Sequence, residues 1–166
     1  MTISLNAALA EQAKIVMGCP PAALTSTAGD GDFVCMKNYR RLTIVIAVAN
    51  GTTVTGGAVT LVQATEVAGS TTAALGFSGY WANTDTGASD ALVYTAATNN
   101  TFTTSTTNSK NQIYVIQVDA EDLDLANGYD CVRVDVASMA NATGAVLYFL
   151  DGARYGGTTP PTAITD

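Results

Sequence analysis

The spacing of apolar and polar positions changes once along the chain. Residues 6–17, "NAALAEQAKIVM", follow a helical period: Asn6 is a candidate N-cap, Leu9, Ala13, Val16 and Met17 share one face, and Gly18, Pro20 and Pro21 stop the pattern. A short amphipathic helix is predicted. From Phe33 onward the period is two, Val, Ile, Thr and Tyr are abundant, and Gly or Asn clusters recur at short intervals. This predicts strands at 32–36, 41–49, 58–68, 73–77, 91–95, 101–103, 112–119, 130–137 and 144–150. Short strands divided by turns indicate an all-β fold: a single-domain antiparallel β-sandwich over 33–153, preceded by a helical arm (1–32) and followed by an extended strap (154–166).

The strand faces say what each strand meets, because alternate side chains point to opposite sides. In "CVRVDVA", Val132, Val134 and Val136 point one way and Arg133 and Asp135 the other, so this strand has one wet face. In "TIVIAVA" and "AVLYFL" both faces are apolar, which is expected of central strands covered by the second sheet on one side. The other side is expected to meet the N-terminal arm or a neighbouring subunit. "DAEDLDLANGYD" (119–130) reads as a crossover in which Leu123 and Leu125 dip into the core and the acids stay in water. Its spacing does not follow a calcium-binding EF-hand loop. Tyr129, two residues before Cys131, has the position of a tyrosine corner and is expected to be buried. "GFSGYWANTDTGASD" (76–90) places Tyr80 and Trp81 among turn formers, as an aromatic plug or subunit contact, with a carbohydrate platform as the alternative. The Thr/Asn/Ser tract 96–111 reads as a long surface hairpin or loop. In the strap, Ile164 is the one sizeable apolar anchor.

Composition narrows the function. The chain is 48% hydrophobic and 13% charged, against about 25% charged in an average globular domain, so few charges remain to cover a monomer. The longest apolar run, 42–49, is far short of the roughly 20 residues of a membrane-spanning helix, and no membrane partner is expected. The N-terminus lacks the basic start of a secretory signal, so use without export is expected. A net charge of -7 argues against nucleic acid, which requires clustered Lys and Arg. The one locally basic stretch, "KNYRR", offers Lys37, Arg40 and Arg41 as charged contacts. With no histidine there is no Ser-His-Asp or Cys-His pair and no usual zinc site, leaving only a paired-carboxylate mechanism formally open. Cys19, Cys35 and Cys131 have no metal-ligand spacing and read as reduced, buried thiols. No catalytic, cofactor-binding or metal-binding residue is therefore predicted, and the chain reads as a binder and not an enzyme.

Four segments carry a resemblance: "ISLNAALAEQAKIVMGCPPAAL", "VTLVQATEVAGS", "GFSGYWANTD" and "TFTTSTTNSKNQIYVIQVDAEDLDLANGYDCVRVDVA". In this order they resemble a family of small proteins encoded among the head genes of tailed bacteriophages and prophages. The resemblance spans nearly the whole chain and brings no catalytic or metal-binding residue with it. It implies a virion structural protein, foremost a capsid decoration or cement protein on the outer surface of the head. Such a protein would be assembled in the host cytoplasm and bound to the major capsid protein as a homo-oligomer. A tail-tube, neck or connector component and a host-glycan-binding module are the alternatives. The expected contacts are Leu5, Leu9, Val16 and Met17 of the arm, Ile164 of the strap, and Lys37, Arg40, Arg41, Tyr80 and Trp81.

Overall fold

The computed structural model describes residues 8–25, 31–154 and 160–165. With strands numbered in chain order, the larger sheet runs β1 (Ala13–Ala23), β11 (Ala142–Asp151), β3 (Arg41–Asn50), β9 (Asn111–Asp119), β6 (Gly79–Asn83) and β7 (Val93–Ala96). The smaller runs β2 (Val34–Cys35), β10 (Cys131–Val136), β4 (Ala58–Ala64) and β5 (Thr72–Ala74), and β8 (Thr101–Thr103) also pairs with β4. The strand pairs are antiparallel, and the two sheets pack as an all-β sandwich.

The period-two pattern decides which side chains meet between the sheets. β3 sends in Leu42, Ile44, Ile46 and Val48, β9 sends in Tyr114, Ile116 and Val118, and β11 adds Val146, Tyr148 and Leu150. Facing them are Val132, Val134 and Val136 of β10 with Val59 and Leu61 of β4. Tyr148 is fully buried, and its hydroxyl accepts the Val134 N–H at 3.0 Å, tying the sheets together. Its ring lies against Gly18, where an added Cβ would come within 2.5 Å of it. The glycine therefore lets β1 close over the tyrosine.

The polar tract 96–111 is held by buried polar groups. Asn50 Nδ2 donates to the Ser105 and Thr107 carbonyls at 2.9 and 3.0 Å, Gln112 Nε2 donates to the Ser105 carbonyl at 3.2 Å, and Tyr114 Oη donates to Gln112 Oε1. Thr104 Oγ1 accepts the Gly57 N–H at 3.0 Å. Buried amides and hydroxyls need such partners, so these bonds pin the largely exposed tract, as expected a surface segment, across the ends of β3 and β9.

Several expectations change. Of the predicted 6–17 helix, Asn6 and Ala7 lie outside the described residues, Leu9–Gln12 is helical, and residues 13–23 form β1, which pairs with β11 through eight registered positions. Strand pairing overrides helix propensity here, and the edge position with its register shifts accommodates Pro20 and Pro21. Gly79–Asn83, expected as a plug in a turn-rich segment, is strand β6. Leu123 is buried as expected, but Leu125 is 54% exposed and Tyr129 is half-buried, outside the core clusters. Ala163, fully buried, anchors the tail: its carbonyl accepts the Cys35 N–H at 2.7 Å, and the neighbouring Pro161 carbonyl accepts the Tyr39 hydroxyl. Ile164 is exposed instead. Among the described residues no helix is long and apolar enough to cross a membrane.

Candidate binding face

The outer side of the large sheet carries the side chains that the core does not use. Strand register places Met17 opposite Leu147, Leu147 opposite Val45, Val45 opposite Val115, Val115 opposite Trp81, and Trp81 opposite Tyr94. Directly opposed residues share a face, so these six side chains form one apolar row across the full width of the sheet. A parallel row holds Ile15, Phe149, Thr43 and Gln117. Trp81 and Tyr94 lock edge to face, with ring centroids 5.3 Å apart. Gly79 leaves the space for Tyr94, whose ring occupies the volume a Cβ would need.

Next to this ridge the face becomes a trough. Ala145, Ala47 and Ile113 follow in one row and Thr143, Ala49 and Asn111 in the next. These small side chains leave an open apolar depression of ≈ 650 Å³, walled by Pro21 to Ala23 of β1 on one side and Thr86 on the other. Charges stand at the ends of the face. Arg41 and Asp119 pair at 2.7 Å at one end, beside Asp151, and Lys110 pairs with Asp85 at the other. The Arg41 guanidinium holds the Asp119 carboxyl below the usual carboxylate range, while burial pushes Asp151 up. Between these ends, β3, β9 and β11 present no charged side chain on this face.

Of the residues expected from sequence to make contacts, Met17 and Trp81 both lie on the apolar row, separated by β11, β3 and β9, and Arg41 stands at a charged end of the face. Val16 points inward against the core, since in a strand neighbours face opposite ways, and Tyr80 also points inward, stacked on Phe102 with centroids 3.8 Å apart. Leu9 is exposed on the short helix, Ile164 is exposed on the tail, and Arg40 is exposed beside β3. Lys37 pairs with Asp130 at 3.2 Å on the other sheet. Leu5 lies outside the described residues.

No protein-family model matches the sequence, and no curated protein matches it. A solved structure described as the SPBc2 prophage-derived protein YomS is similar over 84% of this chain and 93% of its own, with 16% sequence identity and a TM-score of 0.43.

The large apolar residues of this face that sequence reasoning left out are Val45, Val115, Leu147, Phe149 and Tyr94. The signal for the first four was present: both faces of "TIVIAVA" and "AVLYFL" read as apolar, and the second face of "QIYVIQVD" carries Ile113 and Val115. What joins them into one surface is the non-local pairing of β3, β9 and β11. A strand pattern does not state which strands are neighbours. Tyr94 was hidden for a different reason, since its contact with Trp81 depends on the unexpected strand β6.

Proposed function

We propose that this chain is a structural subunit of a bacteriophage virion, a capsid decoration protein that works by binding and not by catalysis. It seats the outer face of its large sheet on the major capsid protein lattice, in repeated copies. The observation that carries this reading is the uncharged apolar row from Met17 to Tyr94, which runs across the outer side of six strands, exposed at both ends and half-buried between them. Monomeric soluble proteins seldom leave contiguous apolar patches larger than a few hundred Å² in water. Strands about 4.8 Å apart with about 3.3 Å per residue, four of them giving about seven residues and β6 and β7 giving 5 and 4, make a face of about 590 Å². That approaches the ≈ 800 Å² per partner of a standard protein interface.

Three further features support the reading. The low charge content suits a surface that is covered in its working state. The resemblance to head-gene proteins supplies the context. Repetition over a lattice converts a modest apolar contact into strong attachment through many simultaneous sites.

The test is addition of purified protein to heads that lack it. Wild-type protein is expected to bind to saturation, while Val45→Glu with Val115→Glu, both at half-buried outer-face sites, abolishes binding with the sandwich intact by circular dichroism. Binding undiminished by the double substitution removes this face from the interface.

A further inference from the structure

Cys35 converges with two donors nearly a hundred residues further along the chain, the adjacent Asp130 and Cys131, on the outside of the small sheet. Cys35 of β2 lies directly opposite Cys131 of β10. The adjacent Met36 N–H donates to the Asp130 carbonyl at 2.7 Å, and the Cys35 N–H turns away to Ala163. In an antiparallel ladder this makes Cys35 and Cys131 a non-hydrogen-bonded pair, the kind whose side chains approach more closely. The Cys131 thiol donates to Asp130 Oδ1 at 3.2 Å. The two sulfurs and a carboxylate oxygen all lie within 4.8 Å of one another.

The bland reading is two buried thiols beside a surface carboxylate. Against it stands the completeness of the set. Both thiols are buried, at 5% and 0% exposure, within an apolar pocket of Phe33, Ala64, Val62 and Val67. Lys37 Nζ takes Asp130 Oδ2 at 3.2 Å, which fixes the carboxylate and leaves Oδ1 turned to the sulfur.

We propose that Cys35, Cys131 and Asp130 form a tetrahedral binding site for a thiophilic divalent metal ion, Zn²⁺ by preference, with a water molecule as the fourth ligand. Two thiolates favour Zn²⁺ over Mg²⁺ or Ca²⁺, and a carboxylate oxygen is an ordinary third zinc ligand. Zn–S near 2.3 Å and Zn–O near 2.0 Å place tetrahedral donors about 3.5–3.8 Å apart, so closing around the ion requires movements of about an ångström or less. Charge also balances: two thiolates and one carboxylate are offset by the ion together with the Lys37 ammonium. Binding displaces the two thiol protons to solvent, so affinity rises with pH. The ion would clip β2 to β10 and, through the Cys35 N–H to Ala163 bond, secure the C-terminal tail.

The test is titration of reduced, metal-free protein with Zn²⁺ against a chromophoric chelator, repeated with Co²⁺ to read thiolate-to-metal charge transfer. One ion per chain is expected, with the Co²⁺ charge-transfer band present. Cys131→Ser and Cys35→Ser should each weaken binding by about 100-fold and Asp130→Asn by about tenfold, as loss of a ligand or its support typically does. Cys19→Ser, whose thiol sits on β1, should leave it unchanged. The wild-type titration does not depend on any variant folding. Absence of uptake by reduced wild-type protein, absence of the Co²⁺ band, or equal affinity in a folded Cys131→Ser variant overturns the site. So does formation of a Cys35–Cys131 disulfide in air by a protein that takes up no metal when reduced.

Discussion

At the scale of single residues, two groups make opposite contributions that can be measured. Tyr148 Oη is the acceptor for a buried Val134 N–H, so Tyr148→Phe strands that donor between the sheets. The expected cost is about 1–3 kcal/mol in chemical denaturation, the penalty for an unmet buried polar group. A loss within error would mean that another acceptor replaces the hydroxyl. Asp151 works the other way. Burial raises its pKa in the folded state, so the fold binds this proton more tightly than the unfolded chain and stability falls as pH rises through the raised value. Asp151→Asn should therefore increase Tm at pH 7, and the gain should vanish at a pH below the ordinary carboxylate range, where the wild-type group is protonated in both states. Asp119 has the reverse sign: its depressed pKa stabilises the fold above the ordinary carboxylate range and is lost as pH falls through the depressed value. At this scale much was legible. Alternation alone assigns Val132, Val134 and Val136 to the core, whereas Tyr148 as a buried hydrogen-bond acceptor required knowing that β11 faces β10.

At the scale of elements, strand β1 is where local preference and tertiary structure disagree. "NAALAEQAKIVM" is built of helix formers, yet among its described residues only Leu9–Gln12 is helical and Ala13 to Met17 join the large sheet. Intrinsic propensity is a weak prior that edge pairing with β11 outweighs. The consequence is that β1 belongs to the fold and not to a detachable arm. Gly18→Val places a branched side chain where a Cβ is already 2.5 Å from the Tyr148 ring. Thermal and urea unfolding should register a loss of about 1–3 kcal/mol, as overpacking of a core does. An unchanged melting curve would show that β1 does not close over the tyrosine in solution. The other strand that escaped notice, β6, is short, flanked by turn formers and built around Tyr80 and Trp81, so aromatic and turn signals concealed a two-faced strand. The strands β3, β9, β10 and β11 were legible because apolar residues, many of them β-branched or aromatic, recur at alternate positions and leave no competing period.

At the scale of the whole molecule, the two sheets have different exteriors. The small sheet carries the half-buried Arg133–Asp135 ion pair on its outer side beside the Cys35–Cys131 cluster, with the Arg133 guanidinium 4.6 Å from the Phe33 ring centroid. The large sheet shows an uncharged ridge and trough. Sequence alone announced the excess of apolar surface through the low charge content and the doubly apolar strands, but strand order was needed to gather it into one face. Attachment through such a face should give a negative heat-capacity change and little dependence on salt, because burial of apolar area, not ion pairing, drives it. Calorimetry of head binding at several temperatures and ionic strengths checks this. A steep salt dependence would instead assign the contact to the charged ends around Arg41 and Lys110.

The central claim, that the chain is a repeated component of the virion shell, is tested most directly by quantitative mass spectrometry of purified particles. A copy number standing in simple ratio to the major capsid protein is the predicted result. Absence from the particle, or the few copies of a single neck or tail ring, would contradict it.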